Sequence, residues 1–217
     1  NTIPSCRGLG SSSTCRVAGL MAANVLSEAN LDKDEILKLA IELEGHPDNV
    51  APAIYGNMII AFMEDGNLYH ESIKVPEEIR FLAMVPDFEL STEKARAVLP
   101  KEIPHKHGVF NVSRCALLIA AFTKNNLDLV KAACKDKFHQ DYRSHLINNY
   151  DDIVAYANSL DSLGTFLSGA GPTIMTLAKD GDDEILDKMK SYLAALPDNW
   201  QILDLHCDPN GAYYKEV

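Results

Sequence analysis

Several things are scarce or missing in this sequence, and each absence narrows what the protein does. Its longest apolar runs, such as the one in NMIIAFM (57–63), fall far short of the about 18 residues that mark a membrane-crossing helix, so none is indicated. Positive charge is short. Twenty Lys and Arg stand against 31 Asp and Glu, a net charge of −11, which argues against a general nucleic-acid or anionic-membrane surface. A small anionic ligand stays possible, because a helix N-terminus, a few arginines and a metal ion make a local positive site. The five cysteines (Cys6, Cys15, Cys115, Cys134 and Cys207) are odd in number, widely spaced and without a CxxC pair. Reduced thiols in a cytoplasmic protein are the simplest account. There is no internal repeat and no low-complexity segment. What remains is a 217-residue chain, 47% apolar, which suits one large domain or two small ones with a real core.

Residues 4–14 read PSCRGLGSSST and run into the apolar stretch VAGLMAANVL. The loop is not a Walker A sequence, since it lacks the GxxxxGK[ST] spacing and has no lysine after the second glycine. Nor is it GxGxxG, because Ser13 stands where the third glycine belongs. Two readings remain open. One is a helix capped by a serine after a glycine turn. The other is a phosphate cradle, in which glycines admit an anion to backbone N–H groups and the helix dipole favours its charge. A phosphate loop normally follows a strand, yet the chain opens at NTIPS with neither a strand, an initiator Met nor a signal peptide ahead of it. An upstream part of the natural protein is therefore expected.

Apolar spacing predicts helices over about 12–29 and 32–45, the second opened by a capping box from Asp32 to Glu35. NMIIAFM (57–63) and NLYHESIKV (67–75) form a hairpin around Asp65-Gly66, and IRFLAMVP (79–86) is a buried strand. Helices follow at 91–99, 107–124, 126–137 and about 148–159. Then come a strand, a tight glycine loop and a strand (164–178), a helix (181–195) and a strand (200–206). AYYKEV is a candidate edge strand. The pattern shifts near residue 76, which divides the chain into 1–75 and 76–217, with the last strand a candidate to return to the first part. Helices and strands mix without a βαβ rhythm, which indicates an α+β fold.

Three further patches carry chemistry. ELEGHPDNVAPAIYG (42–56) gathers Glu42, Glu44, His46, Asp48 and Asn49 at a helix end. It reads as a plain Gly-Pro-Asp-Asn turn, or as a carboxylate site for Mg²⁺ held jointly with substrate phosphates. It lacks HExxH geometry, so a closed zinc site does not fit. STEKAR (91–96) opens a helix and carries Arg96; Arg143 lies far away in DYRSHL. On sequence alone both arginines read as solvated surface charges. LSGAGPT (167–173) is either a tight turn between strands or a place where backbone approaches a ligand or another loop.

Taken in order, GLGSSS, EGHPDNVAPA, STEKARAVLP and LSGAGPT resemble the homoserine kinase branch of the GHMP kinases, over nearly the whole chain. The resemblance implies a two-domain α+β fold. Its N-terminal domain resembles ribosomal protein S5 domain 2, with a left-handed βαβ crossover, and its C-terminal domain is ferredoxin-like. It implies ATP and Mg²⁺ as cofactors, with the phosphates at Arg7, Gly8, Leu9, Gly10, Ser11, Ser12 and Ser13, and the metal at Ser12 (or its neighbour Ser11) and Glu44, with Glu42 second. It implies that Asn49 lies near the homoserine hydroxyl with His46 lining the pocket. Arg96 and Arg143 would bind the substrate carboxylate beside Thr92, and Gly169, Ala170 and Gly171 would pack against phosphate loop and substrate. The expected reaction is transfer of the ATP γ-phosphoryl to L-homoserine, in the cytoplasm, for threonine synthesis, with no assigned base and a homodimer as a possible assembly. Another GHMP small-molecule kinase and a non-catalytic GHMP-fold binding protein are the alternatives. The family's first motif, on N-terminal strands, has no counterpart here, and Gly56-Asn57 stands where the family often has two glycines.

Overall fold

A computed structural model describes residues 2–215, and the chain divides into two units. The first holds the residues up to Ser5, Gly10–Val75 and the chain from Cys207 onward; the second holds Cys6–Leu9 and Pro76–His206. One division thus lies at Val75 and Pro76. Beyond a simple two-block order, the chain lends four loop residues to the second unit and comes back to the first after His206.

The first unit contains α1 (Ser11–Leu26), α2 (Lys33–Glu44), α3 (Val50–Tyr55) and the hairpin of β1 (Met58–Glu64) and β2 (Asn67–Ile73). Helix α2 starts as expected: the Asp32 carboxylate accepts from the Glu35 N–H at 2.9 Å while the Glu35 carboxylate accepts from the Asp32 N–H. Its apolar stripe of Ile36, Leu37, Ala40 and Ile41 packs with Val17 of α1 and Val50, Ala51 and Ile54 of α3 into one buried core. Burying such a stripe offsets the backbone entropy that a short helix cannot recover by itself. The expected hairpin forms in register, Met58 opposite Ile73 and Glu64 opposite Asn67. Asn57 sits at φ 55°, a left-handed conformation that asparagine tolerates better than most residues, which explains how it stands in for a glycine. Its N–H donates to the Asp208 carbonyl at 2.8 Å, and its amide donates to the Pro209 carbonyl at 3.2 Å.

The second unit contains β3 (Ile79–Pro86), α4 (Thr92–Ala97), α5 (His105–Thr123), α6 (Val130–Ala133), α7 (Gln140–Arg143), α8 (Tyr150–Ser159), β4 (Gly164–Leu167), β5 (Ile174–Lys179), α9 (Asp183–Leu193) and β6 (Trp200–Leu205). Its sheet is antiparallel, in the order β4-β5-β3-β6. With helices between β3 and β4 and again between β5 and β6, this is a ferredoxin-like arrangement. Leu82, Met84, Ile174, Ile153, Ile185 and Met189 form the centre of its core. Arg80, buried in β3, donates to Asp204 of β6 at 2.6 Å and to Asp183 of α9 at 2.9 Å. Those bonds hold its guanidinium in the charged form and its pKa above the ordinary value.

Two expectations are corrected. Residues 126–137 are not one helix: a 3₁₀ turn at Leu127–Leu129 and one turn of α6 occupy part of that span. Residues 212–215 of AYYKEV form no strand, and 216–217 lie outside the described residues. No strand precedes α1 among the described residues, so the implied left-handed crossover is not among the elements described.

Candidate active site

In the first unit, the glycine–serine loop ends on α1 without a serine cap. Gly10 is the N-cap, at φ 71°, and no side chain caps the helix there. Ser11, Ser12 and Ser13 form the first turn instead. The first intrahelical bond runs from the Thr14 N–H to the Gly10 carbonyl at 2.9 Å. A helix start with no acidic residue in its first turn and no side-chain cap presents N–H groups and a positive dipole end, the arrangement that suits phosphate. A Cβ placed on Gly10 would meet only the Asn49 side chain, at 3.5 Å, so conformation rather than crowding requires glycine there.

The three serines are not equivalent. Ser12 is exposed and Ser13 is buried, its hydroxyl donating to Glu44 Oε1 at 2.8 Å. The other Glu44 oxygen accepts from the Arg16 guanidinium, so the carboxylate is ordered from α1. Glu44, not exposed Glu42, is the acid brought to the serine run. In the turn that follows α2, the Asp48 carboxylate lies 2.5 Å from His46 Nδ1 and accepts from the Asn49 amide at 3.3 Å. Asn49 is the N-cap of α3. A single carboxylate with neighbouring hydroxyls suits Mg²⁺, which takes most of its oxygens from phosphate and water. No group of three His, Cys, Asp or Glu side chains stands ready for a metal among the described residues.

In the second unit, Arg7 to Leu9 pack on the glycine loop. The Arg7 guanidinium donates to the carbonyls of Pro86 and Asp87 at 3.0 and 2.9 Å and lies 3.5 Å from Glu89. Its side chain thus anchors the loop, and its carbonyl accepts from the Thr173 N–H at 3.2 Å. The Ser168 hydroxyl donates to the Gly8 carbonyl at 2.7 Å. A Cβ at Gly8 (φ 74°) would come within 2.3 Å of the Ser168 carbonyl oxygen and 2.9 Å of that of Gly171. Gly8 is therefore a glycine because two backbones meet there, whereas Gly10 is one because of its φ.

Arg143, on the single-turn helix α7, reaches the same loop. Its Nε donates to the Ala95 carbonyl of α4 at 2.9 Å, and its Nη1 to the Gly169 carbonyl at 3.2 Å. His139 Nδ1 lies 3.3 Å from Nη1. Burial and the nearby Arg96 charge push the Arg143 pKa down. Burial also lowers the His139 imidazole, leaving it neutral at pH 7 and able to accept from Arg143. Arg143 on the loop and the Arg96 charge near it repel each other, and a carboxylate bound between them would relieve that repulsion. Thr92, exposed, opens α4 after the Ser91 cap, whose hydroxyl accepts from the Lys94 N–H at 3.1 Å. The structure thus brings together Arg7, Gly8, Arg143, Arg96 and the glycine loop in one unit, and Gly10, Ser13 and Glu44 in the other.

Sequence reasoning missed Arg16 and the linking part played by Asp48. Arg16 carried a signal, because it lies three residues after Ser13 on the same helix face and so reaches the same acid. Asp48 carried only its place between His46 and Asn49.

Comparison with known proteins identifies the family. The model of the GHMP kinases N terminal domain matches residues 1–57, and that of the GHMP kinases C terminal domain matches residues 118–195. A homoserine kinase of Clostridium botulinum (strain ATCC 19397 / Type A) is 49% identical over 209 residues, covering 96% of this chain and 70% of that protein. The crystal structure of homoserine kinase from Cytophaga hutchinsonii matches with a TM-score of 0.90 at 29% identity, over 97% of this chain and 69% of that one. A mevalonate kinase from L. major, 21% identical with a TM-score of 0.68 over 94% of this chain and 67% of its own, shares the fold. Two domain models and a relative at 49% identity lead to one assignment: the chain belongs to the homoserine kinase branch of the GHMP kinases.

Proposed function

We propose that the protein transfers the γ-phosphoryl group of ATP to the side-chain hydroxyl of L-homoserine, giving O-phospho-L-homoserine for threonine synthesis in the cytoplasm. The observation that carries this reading is Arg143 on the glycine loop with the Arg96 charge near it, in a chain 49% identical to a homoserine kinase. A guanidinium fork recognises a carboxylate bidentately, and a small amino acid offers little else by which to be oriented. Thr92 and the Gly169–Ala170–Gly171 backbone complete that subsite. No helix among the described residues is long and apolar enough to cross a membrane.

Residues Arg7 to Ser13 hold the triphosphate, chiefly through backbone N–H groups at the start of α1. Glu44 and Ser12 would hold Mg²⁺, and the closeness of Glu44 to the serine turn supports that choice. Bound metal would supply charge neutralisation to the phosphates. Asn49, with His46 beside it, orients the homoserine hydroxyl. Phosphoryl transfer through a loose transition state needs alignment and charge stabilisation above all. We assign no general base, as the family resemblance implies; Asp48 on Nδ1 orients the His46 ring. The family further suggests a homodimer, which sedimentation measures directly.

A substrate panel tests the reaction. Full-length protein with Mg·ATP should turn over L-homoserine; phosphorylation of mevalonate or a sugar with no turnover of homoserine would overturn the assignment. Gly10→Val tests the cradle. A β-branched side chain at φ 71° is strained and stands over the N–H groups, so ATP affinity should fall far more than thermal stability. Normal ATP affinity in a folded Gly10→Val protein would remove the cradle.

A further inference from the structure

Helix α7 is one turn, Gln140–Arg143, and one turn does not persist without support from its surroundings. Its support is specific. The Asp136 carboxylate accepts from the His139 and Gln140 N–H groups, both at 2.7 Å through Oδ2. Its other oxygen accepts from the Asn111 amide of α5 at 2.6 Å. Asn111 closes the pairing with its own Oδ1, which accepts from the Lys137 N–H at 2.9 Å. Burial raises the Asp136 pKa, but the hydrogen bonds from Gln140, His139, Asn111 and Phe138 outweigh it and hold the group ionised. At the far side, Gln140 Oε1 accepts from the Leu167 N–H at 2.8 Å and the Tyr150 hydroxyl at 3.0 Å. Leu167 leads directly into the Ser168–Gly171 loop whose Gly169 carbonyl accepts from Arg143.

The helix that carries Arg143 is thus held to α5 at its start and to the glycine loop along its side. We propose that the Asn111–Asp136 pair is a positioning device for Arg143, setting the direction of its guanidinium and hence the affinity for the homoserine carboxylate. This rests on the reading of Arg143 as a carboxylate-binding residue. Neither Asn111 nor Asp136 is placed in contact with substrate. Asp136 acts through the turn it caps, and Asn111 by holding Asp136 and the Lys137 N–H.

The geometry permits a reciprocal test. Asp136→Asn leaves an oxygen to cap α7 but turns an N–H group toward the Asn111 amide, where two donors face each other. Asn111→Asp places two carboxylates against each other. Combined, the two changes restore every hydrogen bond: the new amide at 136 caps the turn and donates to the new carboxylate at 111, whose second oxygen accepts from the Lys137 N–H.

Steady-state kinetics on the full chain, with homoserine and ATP varied in turn and thermal melts alongside, read the effect. Asp136→Asn should raise the homoserine KM roughly tenfold, with the ATP KM changed by less than about twofold. The Asn111→Asp/Asp136→Asn double variant should return the homoserine KM close to that of the unaltered protein. If Asp136→Asn does not fold, Asn111→Ala, which keeps the cap itself, should still raise the homoserine KM severalfold and leave that for ATP alone. An unchanged homoserine KM in folded Asp136→Asn, or equal rises in both KM values that the double variant does not reverse, overturns the proposal. Arg143→Ala separates the two levels. If it raises the homoserine KM while Asp136→Asn does not, only the positioning role fails. If Arg143→Ala leaves that KM unchanged, the carboxylate subsite fails and the positioning role with it.

Discussion

The two candidate regions are built from different materials. The region of the first unit is backbone and short polar groups: Gly10 in a left-handed conformation, three serines in a first helical turn and one carboxylate ordered by Ser13 and Arg16. The region of the second unit depends on long cationic side chains threaded onto carbonyls. Arg7 is held on Pro86 and Asp87, and Arg143 on Ala95 and Gly169. A helix start needs little help to present its N–H groups, because the geometry that makes the helix also makes the site. A guanidinium has several rotatable bonds and costs about 2 kcal/mol of rotamer entropy to hold still. It becomes a defined ligand only when neighbouring elements accept some of its donors. The first kind of region should therefore be sensitive to backbone changes, and the second to changes in whatever holds the side chain.

The sharpest break in that contrast is expected where backbones from two loops meet. Gly8→Ala would drive a Cβ to 2.3 Å from the Ser168 carbonyl oxygen at a positive φ, and should cost about 3 kcal/mol of stability. Gly169→Ala, whose Cβ would meet only the Gly8 carbonyl at 3.6 Å, should cost about 1 kcal/mol for its conformation alone. Urea unfolding of the two variants reads the difference, and equal losses would mean that the loop contact adapts. Next in size are Arg143→Ala and Arg96→Ala, which should raise the homoserine KM roughly ten- to a hundredfold, equivalent to about 1.5–3 kcal/mol, with ATP binding nearly intact. Lysine at either position should recover only part of this, because an ammonium cannot reproduce the fork. A variant with unaltered homoserine kinetics would remove that arginine from the subsite.

The smallest effect separates two adjacent serines. Ser13→Ala strips a buried donor from Glu44 and should cost about 1–2 kcal/mol of stability. Ser12→Ala, at an exposed position, should change stability by less than about 0.5 kcal/mol while lowering turnover through poorer Mg²⁺ positioning. Melts and kcat at several Mg²⁺ concentrations distinguish the two. If Ser12→Ala keeps full turnover and Ser13→Ala loses it with little loss of stability, the metal role passes to Ser13.

Local order determined much of this protein in advance. The capping box at Asp32 and Glu35, the Asp65-Gly66 hairpin, the buried strand at 79–86 and the glycine–serine loop all rest on interactions within a few residues, and these are written in consecutive letters. Position 57 shows the same economy, since asparagine is among the few residues that tolerate a left-handed conformation. Tertiary structure decided what depends on distant partners. It set Glu44 against Ser13 rather than Ser12 and left Gly10, with no side-chain cap, at the start of α1. It broke the span 126–137 into short turns. It also brought Arg143, which reads as an ordinary surface charge, to the glycine loop, with the Arg96 charge near it. That last step could not be read along the chain, because the Arg143 guanidinium is directed by the carbonyls of Ala95 and Gly169, which lie 48 and 26 residues away.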